Sequence, residues 1–272
     1  MNEIDIKKYL TQYSASNIIF VPNKGNLGDD VINHACLEVL RELNINYTIG
    51  SFDKEYKNKI LFYGGGGNYT NKYAQCKTFI KNNLGKNKIV ILPQTIHNVE
   101  NSVKSLDRDV DIFCRETTSY NWVSNTVKHP ENVFICKDMS FLLDIKQYKD
   151  RPKQGFHLEC FRKDSEMTVI PNEHINIDAP VQLKDEYDSP KHKQVATYNK
   201  IKYNSNVLIN FISMFDTIRT NRLHVAIIGS MLDKNVTIFP NIYHKNKSVY
   251  DYSMKDNYKN LSFETVPQKE KI

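Results

Sequence analysis

The 272-residue chain lacks several things at once. No run approaches the roughly 20 apolar residues of a membrane-spanning helix. The opening residues, MNEIDIKKYLTQYS, show neither a charged-then-apolar leader nor a small-residue cleavage site. The expectation is a soluble, cytoplasmic protein. Cysteine is sparse: Cys36, Cys76, Cys114, Cys136 and Cys160 stand far apart, odd in number and without a CxxC pair. That pattern argues against a disulfide framework and against a zinc site. There is a single Trp, no Arg-rich block and no basic tail, so a nucleic-acid footprint is not expected. Neither a Walker loop nor GxGxxG occurs.

What is present is the composition of an ordinary globular protein, 40% hydrophobic and 25% charged, with a mean hydropathy of -0.53. Lys and Arg number 37 against 31 Asp and Glu, a net charge of +6. An excess this modest and this spread out suits an anionic small ligand.

Five apolar runs punctuate the first half: NIIFVP (17–22), KILFY (59–63), KIVILP (88–93), VDIFC (110–114) and NVFIC (132–136). Continuous β-branched and aromatic runs of this length are strands buried on both faces. Amphipathic segments lie between them, at Asp30 to Leu43, Lys72 to Leu84 and Glu116 to Ser124. Alternating strand and helix predict a parallel sheet covered by helices, with ligands at the carboxyl ends of its strands. The charged, Pro- and Gly-containing stretch Asp144 to Gly155 reads as a linker. Beyond it, GFHLECF, VLINFISMF, DTIR, a helix opening near Asn221 and NVTIFP give a second α/β pattern, while Asn172 to Asn204 shows no periodicity. The expected division is 1–147 and 148–272, the second domain being the smaller.

The residues that follow each run carry the chemistry. GNLGDD (Gly25 to Asp30) is read either as a tight turn capped by Asp29 or Asp30, or as a place where Asn26 and a carboxylate meet a substrate hydroxyl. GGGGN (Gly64 to Asn68) is a turn in the same relative position. So much glycine implies close approach of a ligand, a helix or a bent chain, and Asn68 adds a polar group beside Gly65 and Gly66. Gln94, Arg115 and Asp138 end three further strands. Arg115 either pairs with Glu116 or grips a carboxylate or phosphate with its two-pronged guanidinium. In Thr220-Asn221-Arg222-Leu223-His224, Asn221 is a plausible N-cap. Arg222 and His224 then fall in the first helical turn, where backbone N–H groups favour an anion; the other reading is a neutral His224 packed against the sheet. The other seven histidines show no metal-ligand spacing. Lys245 and Lys247, beyond the last expected strand, read as solvated charges or as donors to an anion.

Taken in order, GNLGDD, GGGGN, LPQT, FCRE, TNRLH and FPNIYHKNKSVYD resemble the polysaccharide pyruvyl transferase family along nearly the whole chain. The resemblance implies two Rossmann-like α/β domains similar to a GT-B-type glycosyltransferase, with the donor held between them. It implies transfer of the enolpyruvyl unit of phosphoenolpyruvate (PEP) to two hydroxyls of a sugar, leaving a pyruvate ketal and releasing phosphate. PEP is then a donor substrate, and no cofactor or metal is expected. The partner is a sugar or glycan acceptor, and attachment to a membrane would be peripheral, through a lipid-linked glycan. The resemblance implies Arg115, Arg222, Leu223 and His224 as donor-binding positions, and Gly65, Gly66, Asn68, Asn26 and Lys245 join them as candidates by their places after strands. His224 is the expected general acid, and Asp29, or its neighbour Asp30, the expected base. Two rivals remain: a nucleotide-sugar-dependent glycosyltransferase on a similar scaffold, and a non-catalytic glycan-binding relative.

Overall fold

The computed structural model describes residues 1–152, 154–166, 168, 176–187 and 198–265. The chain divides into two compact units. The first takes in Met1–Gly25, Asp29–Leu143 and residues 198–202; the second takes in Asn26–Gly28 and the described residues of 144–194 and 203–272.

In the first unit, α1 (Ile6–Leu10) leads into β1 (Asn17–Val21), α2 (Leu27–Glu42), β2 (Asn46–Ile49), β3 (Ile60–Tyr63) and β4 (Gly66–Thr70). There follow α3 (Gln75–Asn83), β5 (Lys88–His97), α4 (Glu100–Lys104), β6 (Val110–Cys114), α5 (Thr117–Ser124) and β7 (Val133–Ile135). The strands form one parallel seven-stranded sheet in the order β2-β1-β3-β5-β6-β7, with β4 against the later half of β5. This is a Rossmann-like arrangement. Its central strands are buried throughout, as their apolar runs require: Leu61, Phe62, Ile89, Val90, Ile112 and Phe113 have almost no solvent contact. After β2 the chain returns to lay β3 on the other side of β1. Sheets of this topology bind ligands at such a reversal, and GNLGDD and GGGGN follow the two strands that flank it.

Several expected boundaries move, each for a local reason. The α2 helix starts at Leu27 rather than Asp30, because Asn26 Oδ1 accepts the Gly28 N–H at 2.8 Å and caps it. Asp29 and Asp30 occupy its first turn instead of its cap. GGGGN is not wholly a turn: Gly66 takes φ +133°, open to glycine, and begins β4. β5 runs through Pro93 to His97, so Gln94 lies within a strand and not at its end. The β5–β6 register shifts between Ile91 and Gln94, around a proline that has no N–H to give the ladder.

The second unit holds β8 (His157–Cys160), α6 (Ala179–Tyr187), most of α7 (Tyr198–Ser213), β9 (Thr217–Thr220), α8 (Leu223–Met231), β10 (Asn235–Ile238), α9 (Lys245–Val249) and β11 (Leu261–Phe263). Its four strands are parallel in the order β11-β10-β9-β8. α8 is apolar on every side and almost fully buried. Gly229 lets it settle on the sheet, since a Cβ there would lie 2.8 Å from Ile218 Cδ1 and 3.0 Å from Val236 Cγ2. The unread stretch 172–204 contains α6 and the first turns of α7; its residues 172–175 and 188–197 lie outside the described residues. All five cysteines are free and buried. Among the described residues no helix is long and apolar enough to cross a membrane.

Candidate functional site

In the first unit, the segment after β1 and the glycines after β3 are tied together by amides. Asn23 Nδ2 donates to Gly65 O at 3.2 Å and to Asp29 Oδ1 at 3.3 Å. Asn68 Nδ2 reaches Asn23 Oδ1, the Tyr63 hydroxyl at 2.8 Å and Gln75 Oε1 at 3.0 Å. Asn68 is thereby buried in a network, where the sequence suggested a group offered from a turn. A Cβ on Gly25 would fall 1.8 Å from Asp29 Oδ2, so a larger residue there would displace that carboxylate. At Gly65 a Cβ would fall 2.9 Å from Pro93 O. Asp29 itself is half-buried, its carboxylate steered by Asn23.

Arg115 follows β6 and is buried. Its Nη1 donates to Asp138 Oδ2 at 2.6 Å and its Nε to Thr95 Oγ1 at 2.8 Å. Its partner is thus Asp138 rather than the neighbouring Glu116, which caps α5 by accepting the Ser119 N–H. Asp138 also caps the turn after it through the Ser140 N–H.

In the second unit, the motif after β9 sits one residue later than expected. Arg222 is the N-cap position of α8, and Leu223 and His224 are its first two residues. Asn221 is not the cap: its Oδ1 accepts the Arg162 N–H at 2.8 Å, bridging the ends of β8 and β9. Leu223 is buried and His224 half-buried. The turn Asn26–Gly28 groups with this unit, and a Cβ on Gly28 would fall 2.9 Å from His224 Nδ1.

Around Arg222 lies a compact set of charges. Its guanidinium forks onto Asp178, Nε to Oδ1 at 2.7 Å and Nη2 to Oδ2 at 2.5 Å, while Nη1 lies 3.4 Å from Asp164 Oδ2. Arg162 forks onto Asp164 (2.7 and 2.9 Å) and reaches Glu166 at 2.7 Å. Lys245 is buried, contrary to the reading of a solvated charge, with Nζ 2.5 Å from Glu166 and 5.2 Å from the centre of the Tyr243 ring. Lys247 is exposed and paired with Asp251. Burial would raise the Asp164 carboxyl, but the hydrogen bonds and charge of Arg162, with Arg222 behind, hold it well below the usual carboxylate range.

Two guanidinium groups and an ammonium gather beyond strand ends, next to the N-terminus of the nine-residue α8, and each is paired with a carboxylate. The sequence profile of the family described as "Polysaccharide pyruvyl transferase" matches residues 26–243. The chain belongs to that family. A Bacillus subtilis (strain 168) protein named "Putative pyruvyl transferase EpsO" is 26% identical over 86% of this chain and 84% of its own. The crystal structure of a functionally uncharacterized protein, KP1_0663 from Klebsiella pneumoniae subsp. pneumoniae NTUH-K2044, superposes with a TM-score of 0.79. It is 31% identical, over 96% of this chain and 97% of that one.

The family match spans every donor position the sequence suggested except Lys245, which follows its last residue. Sequence reasoning missed Arg162, Asp164, Glu166 and Asp178. The first three had a signal, since Arg162, Asp164 and Glu166 cluster directly after the strand-like FHLEC, as GNLGDD follows β1. Asp178 had none; it lies in the stretch without periodicity.

Proposed function

We propose that the protein transfers the enolpyruvyl unit of PEP to two hydroxyls of one sugar, forming a pyruvate ketal on a surface glycan or its precursor. Family membership supports pyruvyl transfer in polysaccharide synthesis. The observation that carries the finer reading is the gathering of Arg162, Arg222 and Lys245 beside the α8 N-terminus. PEP has a carboxylate and a phosphate, and guanidinium forks and helix N–H groups are suited to both.

In this reading His224 gives a proton to C3 of PEP, so that C2 becomes oxocarbenium-like and a sugar hydroxyl adds to it. Asp29, steered by Asn23, accepts a hydroxyl proton. A second hydroxyl then attacks C2, the C–O bond to phosphate breaks, the hydroxyl proton leaves on the departing phosphate and the ketal closes. Arg222 and Lys245 balance the charge of the departing phosphate. Two GT-B-like domains divided near residue 147, with a cytoplasmic site of action and peripheral contact through a lipid-linked glycan, complete the proposal.

The test needs no acceptor. Thermal unfolding is followed with PEP, UDP-sugars or inorganic phosphate, for the protein and its Arg222→Lys and His224→Ala variants. PEP at 100 times its dissociation constant stabilises by about 2.7 kcal/mol. A PEP response that Arg222→Lys abolishes supports the donor assignment and directs a search for phosphate release with hexose acceptors. A response to a nucleotide sugar and none to PEP replaces it with the glycosyltransferase reading. Glycan binding without phosphate release, indifferent to His224→Ala, replaces it with the non-catalytic one.

A further inference from the structure

Among the described residues, the charge cluster of the second unit pairs three cations with three carboxylates. Arg162, Arg222 and Lys245 supply three positive charges; Asp164, Glu166 and Asp178 supply three negative ones. An anion approaching these six groups meets no net attraction, and both forks are already engaged by carboxylates. A ligand anion therefore binds well only if one carboxylate lets go.

The three carboxylates are not equally able to do so. The Glu166 side chain is 2% exposed and that of Asp178 is 7% exposed, each locked against a buried cation. Breaking such a pair leaves an uncompensated buried charge. Asp164 is different. Its side chain is 42% exposed and it stands on a solvent-facing bend, Lys163 to Ser165. Water can take over its solvation when it moves. Apart from Arg162 and Arg222, it accepts the Glu166 N–H at 3.0 Å, an ordinary turn bond.

We infer that Asp164 is an internal stand-in for the ligand: its carboxylate occupies the place where anionic oxygens of the substrate bind, and binding proceeds by exchanging one carboxylate for the other. Swinging Asp164 outward ends the bonds it takes from Arg162 Nε and Nη2, a fork whose geometry matches a carboxylate or two phosphate oxygens. It also frees Arg222 Nη1, which no longer faces Asp164 Oδ2. The six-group balance becomes +1. Asp178 keeps its own fork and holds Arg222 in orientation throughout. Asp164 thus sets how strongly an anion must compete for the site. The inference rests on reading this cluster as an anion site, whichever anion it serves.

The prediction runs against the usual direction of a mutation at a binding site. Calorimetric titration with inorganic phosphate, and separately with PEP, compares the protein with Asp164→Asn, Asp164→Ala and Asp178→Asn. Asp164→Asn keeps a side-chain oxygen for the Glu166 N–H, so the bend survives in at least one variant. Loss of one opposing charge at a half-exposed position should tighten phosphate about tenfold, while Asp178→Asn, which unfastens Arg222, should weaken it. Phosphate binding that is unchanged, weakened or absent in both Asp164 variants overturns the inference. If phosphate tightens but PEP never binds, the exchange stands and the PEP reading falls. If PEP binds the unaltered protein and the Asp164 variants bind it no tighter, the PEP reading stands and the exchange falls.

Discussion

Arg115 and Asp138 meet at 2.6 Å inside the first unit, the guanidinium 1% exposed and the carboxylate wholly buried. Neither charge has water to return to, so the pair depends on its geometry: Thr95 holds the Nε of Arg115 while the Ser140 N–H and hydroxyl hold Asp138. Arg115→Ala strands a buried carboxylate and should cost about 3–5 kcal/mol of stability, measured by denaturant unfolding. A cost below about 1 kcal/mol, the size of an exposed pair, would show that Asp138 is solvated or paired elsewhere once Arg115 is gone.

Gly66 and Gly155 separate two costs that glycine avoids. Both have positive φ, +133° and +72°, but a Cβ on Gly66 would lie 2.6 Å from Asn23 Nδ2 whereas one on Gly155 would meet nothing within 4 Å. Gly155→Ala should lose about 1–2 kcal/mol from backbone strain alone. Gly66→Ala should lose more, because the carboxamide that steers Asp29 has to move as well. Equal losses in the unfolding curves would mean that the Asn23 network gives way freely.

How far the sequence reveals this can be traced residue by residue. Strands such as Ile60–Tyr63 were visible because burial on both faces demands unbroken apolar runs. β2 and β11 are edge strands of three or four residues with polar or exposed positions, NYTI and LSF, and nothing in their pattern separates them from loop. The motif positions were legible because glycines and strand-end polar residues mark the carboxyl edge. Their partners were not: that Arg115 would choose Asp138 over the adjacent Glu116, or that Arg222 would fork onto Asp178, depends on which chain segments the sheets bring together. The burial of Lys245 is hidden for the same reason. A lysine next to Asn and His reads as surface, and only the third dimension supplies Glu166.

In the proposed reaction, the donor's charge is met by guanidinium and ammonium groups. Among the described residues, no three His, Cys, Asp or Glu side chains are placed to hold a metal ion. If the arginines and Lys245 meet that charge, phosphate release from PEP with a competent acceptor proceeds unchanged after treatment with a chelator. Activity abolished by chelation and restored by a divalent ion would show that an ion supplies charge the arginines were assigned.

The last expectation concerns pH. His34 is buried on α2, its Nε2 3.4 Å from Glu38 Oε1 and its ring near that of Tyr198, with Arg41 and Lys202 close by. Burial lowers its pKa from the usual 6.5; Glu38 opposes this, and Lys202 and Arg41 add to it. A histidine whose folded pKa is depressed binds its proton more readily in the unfolded chain. Above pH 6.5 both states hold neutral imidazole and the stability is complete. As pH falls below that value the unfolded state takes up the proton first, and stability is lost progressively until the folded pKa is passed. Glu38, held below its ordinary 4.5, titrates under this window. Between pH 7.5 and 5.5, His34 should account for a loss of up to about 1 kcal/mol in unfolding free energy, and His34→Gln should shrink the difference between the two pH values by that amount. If His34→Gln leaves the difference unchanged, the imidazole is protonated in the folded protein and Glu38 outweighs burial.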